Sequence, residues 1–259
     1  MKNSPVAVVT GGSRGLGYAL AQALARAGYS LVIDGRDEAT LRAAAATLTS
    51  GSATLTSGAA AAREPAGAAG PIIALPGDIA DPAHRADLLA AAVALGGASL
   101  LVNNAGTLGA SPLPALADYP VDALRDALEV NVLAPIALTQ LLLPDLRRAA
   151  GAVLSVTSDA AVEAYAGWGG YGAAKAALEQ ACNVLAAEES AVRVWWVDPG
   201  DLRTDMHQQA FPGEDISDRP IPATVTPGFL RLISERMPSG RYRATELLPA
   251  AARAGEARA

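Results

Sequence analysis

The chain has 259 residues, 51% hydrophobic but only 4% aromatic, and a net charge of −6. That length suffices for a large core of Ala, Val and Leu, which suits helices packed on a buried sheet better than a β-sandwich. The acidic balance argues against nucleic acid or an anionic membrane as partner. The single cysteine, Cys182, excludes an intrachain disulfide or a multi-cysteine metal site and fits a reducing cytoplasm.

Val6–Thr10 reads as a first strand and Tyr18–Ala27 as the helix after it. Between them VVTGGSRGLG places Gly11, Gly15 and Gly17 in a GxxxGxG turn. Glycines there allow a tight turn and close backbone approach, and the helix N-terminus then offers N–H groups to a phosphate. The next strand, Leu31–Asp34, precedes a helix over Glu38–Leu48. Its end, LVIDGRDE, is where an adenosine ribose is read. Arg36, with Arg14 in the glycine turn, could hold a 2′-phosphate and favour NADP. Asp34 opposes this: a carboxylate pointing into the pocket would repel that phosphate and favour NAD.

Residues 47–70 form a low-complexity insert in which TLTSG occurs twice, at 47–51 and 54–58. It reads as a solvated loop extending the second helix. Pro71–Leu75 then precedes a helix over Ala83–Leu95, and His84 near its start reads as a surface residue. Ser99–Val102 leads through a loop to a long helix over Val121–Ala149. Ala152–Thr157 precedes Tyr171–Glu189, and Val192–Val197 follows. Alternation of this kind specifies a doubly wound, Rossmann-type parallel sheet in a single α/β domain. The opening apolar run is too short for a signal peptide, and no apolar run reaches the roughly 18 residues that span a bilayer. Residues 199–222, with Pro212, Gly213, Pro220 and Pro222, read as a loop covering a substrate. Residues 250–259 read as a mobile tail.

Tyr171 and Lys175, four residues apart, share one helix face. Lys175 is one of only two lysines, against 18 arginines. An ammonium beside a tyrosine favours phenolate and makes the phenol a usable acid and base. Neither His84 nor His207 has a partner at metal-ligand spacing, and Cys182 reads as an inert, buried thiol. Tyr165, Trp168 and Phe211 could line an apolar substrate pocket. Gly169, Gly170, Gly172 and Ala174 would leave room for nicotinamide and substrate against the helix.

TGGSRGLG, NNAG at 103–106, Asn131, Ser158, YGAAK at 171–175 and PGDLRT at 199–204 occur in the order and spacing of the short-chain dehydrogenase/reductase family. The resemblance, to its short single-domain branch, covers about residues 5–204. It implies seven strands and hydride transfer between NADP(H), or NAD, and a small carbonyl or secondary alcohol. It implies that Tyr171 is the general acid and base and Lys175 its cationic neighbour and ribose ligand. Ser158 would hold the substrate oxygen, and Asn131 would connect the lysine through water to bulk solvent. Gly11, Ser13, Arg14, Leu16, Gly17 and Arg36 fall at cofactor positions. So do Asp78 and Ile79 at adenine, Asn104, Ala105 and Gly106 beyond strand four, and Pro199, Gly200, Leu202 and Thr204 at the nicotinamide end. Asp159 replaces the small residue usual beside the serine. The C-terminal part lacks the glycine-ending strand motif of tetrameric members, so the resemblance favours a homodimer over a tetramer. A dinucleotide-binding sensor or structural protein without catalysis is the alternative, although such a chain would usually carry a broken Ser–Tyr–Lys set.

Overall fold

The protein is described by a computed structural model over residues 4–53 and 70–248. The strands are β1 (Val6–Val9), β2 (Ser30–Gly35), β3 (Ile72–Pro76), β4 (Leu100–Asn103), β5 (Ala152–Val156), β6 (Arg193–Asp198) and β7 (Gly240–Arg243). They form one all-parallel sheet in the order β3-β2-β1-β4-β5-β6-β7. Strand residues alternate between two cores, as a sheet covered on both faces requires. In β1, Ala7 and Val9 face one helical layer and Val8 the other.

The first layer is α1 (Gly15–Arg26), α2 (Glu38–Ala53) and α8 (Thr226–Ser234), through Leu20, Leu24, Leu41 and Phe229. The second is α3 (Pro82–Ala94), α5 (Ala134–Arg148) and α6 (Gly169–Glu188), through Leu88, Leu138, Leu142, Leu146 and Leu178. Each such leucine contributes about 1.5–3 kcal/mol by leaving water.

Three features differ from the sequence expectations or extend them. The long helix expected over 121–149 is α4 (Val121–Leu128), a π-helical turn (Glu129–Leu133) and α5. The turn is where Asn131 sits, fully buried, its amide donating to Thr107 O at 2.8 Å and Ala127 O at 2.9 Å. The composite helix is long and apolar enough to cross a bilayer by length and composition. Its inner face nevertheless packs on the sheet through Leu138, Leu142 and Leu146. The seventh strand, Gly-Arg-Tyr-Arg, has no apolar pattern and pairs as an edge strand, Trp195 opposite Gly240. Within 199–222 the chain forms α7 (Asp205–Ala210), and α8 follows, neither of them legible as a helix in the sequence. The second copy of TLTSG, the rest of the insert to residue 69 and the expected C-terminal tail lie outside the described residues.

Candidate active site

A cleft of roughly 1630 Å³ opens along the C-terminal edge of the sheet, beside the β1–β4 junction. That junction is where successive crossovers leave in opposite directions, the usual ligand crevice of such sheets. The glycine turn forms one wall. Gly11 and Gly15 take φ of +65° and +56°, a left-handed backbone that favours glycine. No side chain caps the start of α1, and no acidic residue stands in its first turn. Those backbone donors remain open to an anion. Gly17 faces the other way: a Cβ there would lie 2.2 Å from Gly11 O. It lets the helix pack against its own turn and does not line the cleft.

The Asn-Asn-Ala-Gly segment clamps this turn. Thr10 Oγ1 accepts from the backbone N–H groups of Asn104 at 2.9 Å and Ala105 at 3.0 Å. Asn104 Nδ2 donates back to Thr10 O at 2.8 Å. Thr204 caps α7, and a Cβ on Gly15 would meet its methyl at 3.6 Å. The segment from Pro199 to Thr204 thus closes against the glycine turn.

At the adenosine end, Arg36 is exposed at the rim, beside Asp78 and Ile79. Arg14 reaches across to Asp205 on α7 at 2.9 Å. Asp34 is only 2% exposed. Its carboxylate accepts from Gly11 N–H at 2.6 Å and sits 3.2 Å from His84 Nε2. Asp34, the residue that argued for NAD, thus has a buried hydrogen-bonding partner. His84 is not a surface residue: it is 6% exposed and wedged over Gly77, where a Cβ would strike its ring at 2.2 Å.

The candidate catalytic residues come from β5 and α6. Ser158 follows β5, and Tyr171 and Lys175 stand one turn apart on α6, both buried. Lys175 Nζ donates to Val156 O at 2.9 Å and lies 5.6 Å from the Tyr171 ring centre. All three line the cleft. Asn131 lies behind it. Its Oδ1 accepts from Thr107 N–H at 3.2 Å and would touch a Cβ placed on Gly106, which would itself lie 3.7 Å from Lys175 Nζ. Asn131 therefore fixes the strand-four loop against the lysine. Of the catalytic and cofactor residues expected from the sequence, all but Gly17 and Asn131 line the cleft.

Trp168, Phe211, Tyr165 and His207 line the outer part of the cleft. Trp168 meets Tyr171 edge-on at 5.7 Å and Phe211 at 6.0 Å. The small residues of α6 do not provide room for a ligand. A Cβ on Gly170 would hit the Tyr119 ring at 2.3 Å, and one on Gly172 the Ala160 carbonyl at 2.5 Å. These glycines let the helix pack tightly on its neighbours.

The family profile described as short chain dehydrogenase matches residues 5–215. The chain belongs to the short-chain dehydrogenase family. The uncharacterized oxidoreductase YciK of Escherichia coli (strain K12) is 30% identical over 237 residues, 90% of this chain and 87% of its own. Sepiapterin reductase of Meriones unguiculatus is 34% identical over 225 residues, 79% of this chain and 77% of its own. A short chain dehydrogenase of Escherichia coli CFT073 complexed with NADPH superposes with a TM-score of 0.79 at 29% identity, covering 93% of this chain and 97% of that one.

The site charges of this short-chain dehydrogenase are set by burial. Desolvation pushes the Tyr171 phenol well above its ordinary value, the carboxylates of Asp198 and Asp159 push it further, and a hydrogen bond with Ser158 pulls the other way. Desolvation lowers Lys175 to about 8. Asp198 is itself raised, chiefly by burial, against a backbone N–H from Gly200 and the nearby Arg241 and Arg243. The Ser158 hydroxyl donates to Asp159 Oδ1 at 3.0 Å, and Tyr165 OH donates to Asp159 Oδ2 at 3.0 Å. Asp159 and Asp198 carry this electrostatic design. Sequence gave a signal only for Asp159, through its departure from the usual small residue.

Proposed function

We propose that this protein transfers a hydride between NADP(H) and a small carbonyl or secondary alcohol, with Tyr171 as the proton donor and acceptor. The convergence of Ser158, Tyr171 and Lys175 at the inner end of a cleft with an uncapped helix start at its other wall carries the reading. When bound there, the nicotinamide supplies the hydride and, oxidised, a positive ring. Tyr171 gives its proton to the forming alkoxide, or takes it from an alcohol. Lys175, held by Val156 O, supplies positive charge beside the phenol and can bond the nicotinamide ribose. Ser158 orients the substrate oxygen, and Trp168 and Phe211 exclude water around it.

Arg36 and Arg14 support NADP over NAD, as does the burial of Asp34. The NADPH complex of the Escherichia coli CFT073 relative agrees. The same reading includes a cytoplasmic homodimer, supported by exposed Leu133 and Leu141 on the composite helix and Val184 on α6. Replacing Tyr171 by Phe tests the function. Turnover across a panel of ketones and alcohols, followed by nicotinamide absorbance, should fall by at least about a thousandfold, within the usual worth of general acid–base catalysis. NADPH binding should survive. Undiminished turnover sinks the assignment. A wild-type protein that binds NADH more tightly than NADPH, or an Arg36→Ala variant with unchanged NADPH affinity, sinks the cofactor choice.

A further inference from the structure

The buried pair beneath the glycine turn has no part in hydride or proton transfer, yet its position is specific. Asp34 is the penultimate residue of β2, at the expected adenosine end of the cleft. Its side chain is turned inward, one oxygen on Gly11 N–H at 2.6 Å and the other 3.2 Å from His84 Nε2. Its backbone carbonyl also accepts from Gly12 N–H at 2.9 Å. His84 enters from α3, a different element, at 6% exposure. A carboxylate can only accept, so the imidazole nitrogen facing it carries a proton. The bond with Asp34 raises the imidazole above its ordinary pKa against desolvation by burial, with lesser help from Asp87 on α3 and Asp81 at its N-cap, and so shifts it toward imidazolium. An isolated buried carboxylate would cost several kcal/mol and add its charge to the site; a protonated partner cancels that charge.

We propose that His84 is a positioning residue for cofactor choice. It holds and neutralises Asp34 beneath the glycine turn, so that Arg14 and Arg36 face a 2′-phosphate with no opposing charge. The inference rests on the NADP reading, but its failure is distinguishable from that reading's. The balance of charges explains how an acidic residue at the end of β2 coexists with an NADP site. Asp34 serves the turn and His84 answers its charge, leaving selectivity to the exposed arginines.

The test titrates the full-length chain with NADPH and with NADH, reading nicotinamide fluorescence, in wild type, His84→Leu, Asp34→Asn and the double variant. His84→Leu leaves the carboxylate charge unanswered. Its Kd for NADPH should rise about tenfold, the size a unit charge several ångströms from a phosphate produces in a partly wet cleft. Its Kd for NADH, which lacks the 2′-phosphate, should move less than about threefold on the same grounds. Adding Asp34→Asn removes the charge, keeps an acceptor for Gly11 N–H and should return NADPH affinity to near wild type. Equal loss of both cofactors, or no recovery in the double variant, would show that His84 only supports the fold and would overturn the proposal. Should His84→Leu fail to fold, His84→Gln, neutral but still able to donate to Asp34, should show a smaller shift in the same NADPH-to-NADH ratio; an unchanged ratio overturns it equally. A wild type that prefers NADH overturns the NADP reading first.

Discussion

Replacing Asp159 by Asn should move the pH profile of turnover down by about one unit. Ser158 Oγ donates to Asp159 Oδ1 at 3.0 Å, and the Asp159 carboxylate is one of the charges that push the Tyr171 phenol up. A separation of roughly 6 Å, the span of two hydrogen bonds, sets the scale of the carboxylate's effect on the phenol. At an effective dielectric of about 40, for a cleft open to water, a unit charge at that distance is worth about 1.4 kcal/mol, or one pH unit. The sign follows from the charge. A carboxylate disfavours phenolate, so removing it lowers the Tyr171 pKa; the acidic limb for alcohol oxidation, which needs phenolate, and the basic limb for carbonyl reduction, which needs the phenol, both move to lower pH. The assay is kcat/KM against pH for one ketone–alcohol pair from the substrate panel, in both directions, with a melting curve to verify folding. An unmoved profile, or one shifted upward, would refute the claim that Asp159 acts on Tyr171 through its charge.

Two other substitutions probe the same electrostatics. Burial holds Lys175 at about 8, against an ordinary 10.5, and its ammonium donates to Val156 O. The folded protein therefore binds fewer protons than the unfolded chain between those values, so the ammonium costs about 3 kcal/mol below about pH 8, a cost that fades as pH rises toward 10.5. Lys175→Met should raise the melting temperature by about 5 °C at pH 7, less at pH 10, while abolishing turnover; a destabilised variant by calorimetry would contradict this. Asp205→Asn releases Arg14 from an ion pair exposed on both sides, 62% and 67%. NADPH should then bind about two- to threefold more tightly at low ionic strength, with the gain lost in high salt; tighter binding that persists in high salt would exclude release of the arginine as its cause.

The sheet and the reacting residues were legible because each is written locally. β-branched runs such as Val6–Val9 carry their own strand signal, and Tyr171 with Lys175 needs only the 3.6-residue turn. What escaped depends on distant partners. His84 looked like a surface residue because nothing near it in the chain shows that Asp34, 50 residues away, turns inward to meet it. Gly170 and Gly172 looked like room for a ligand because Tyr119 and Ala160, which fill that space, come from other segments. The π-helical turn at Asn131 was invisible for the same reason: its side chain bonds the Thr107 loop as well as its own helix.

The strand with the weakest sequence signal supports the site directly. The family profile ends at residue 215, well before β7. Yet Arg241 on β7 donates to the Ser158 carbonyl at 3.2 Å and to Glu179 Oε1 at 3.0 Å. Glu179 Oε1 also accepts from Thr157 Oγ1 at 2.8 Å, at the end of β5. One guanidinium thus joins the edge strand, α6 and the two residues after β5, and lies 3.8 Å from Asp198. Its planar fork reaches several acceptors at once, which a lysine ammonium would not match. The division of cations follows from that geometry. Lys175 puts a compact charge beside the phenol, while arginine braces the loop that carries the serine. A polar edge strand is therefore as much a part of the site's architecture as the glycine turn, because it fixes the backbone that carries Ser158 into the cleft.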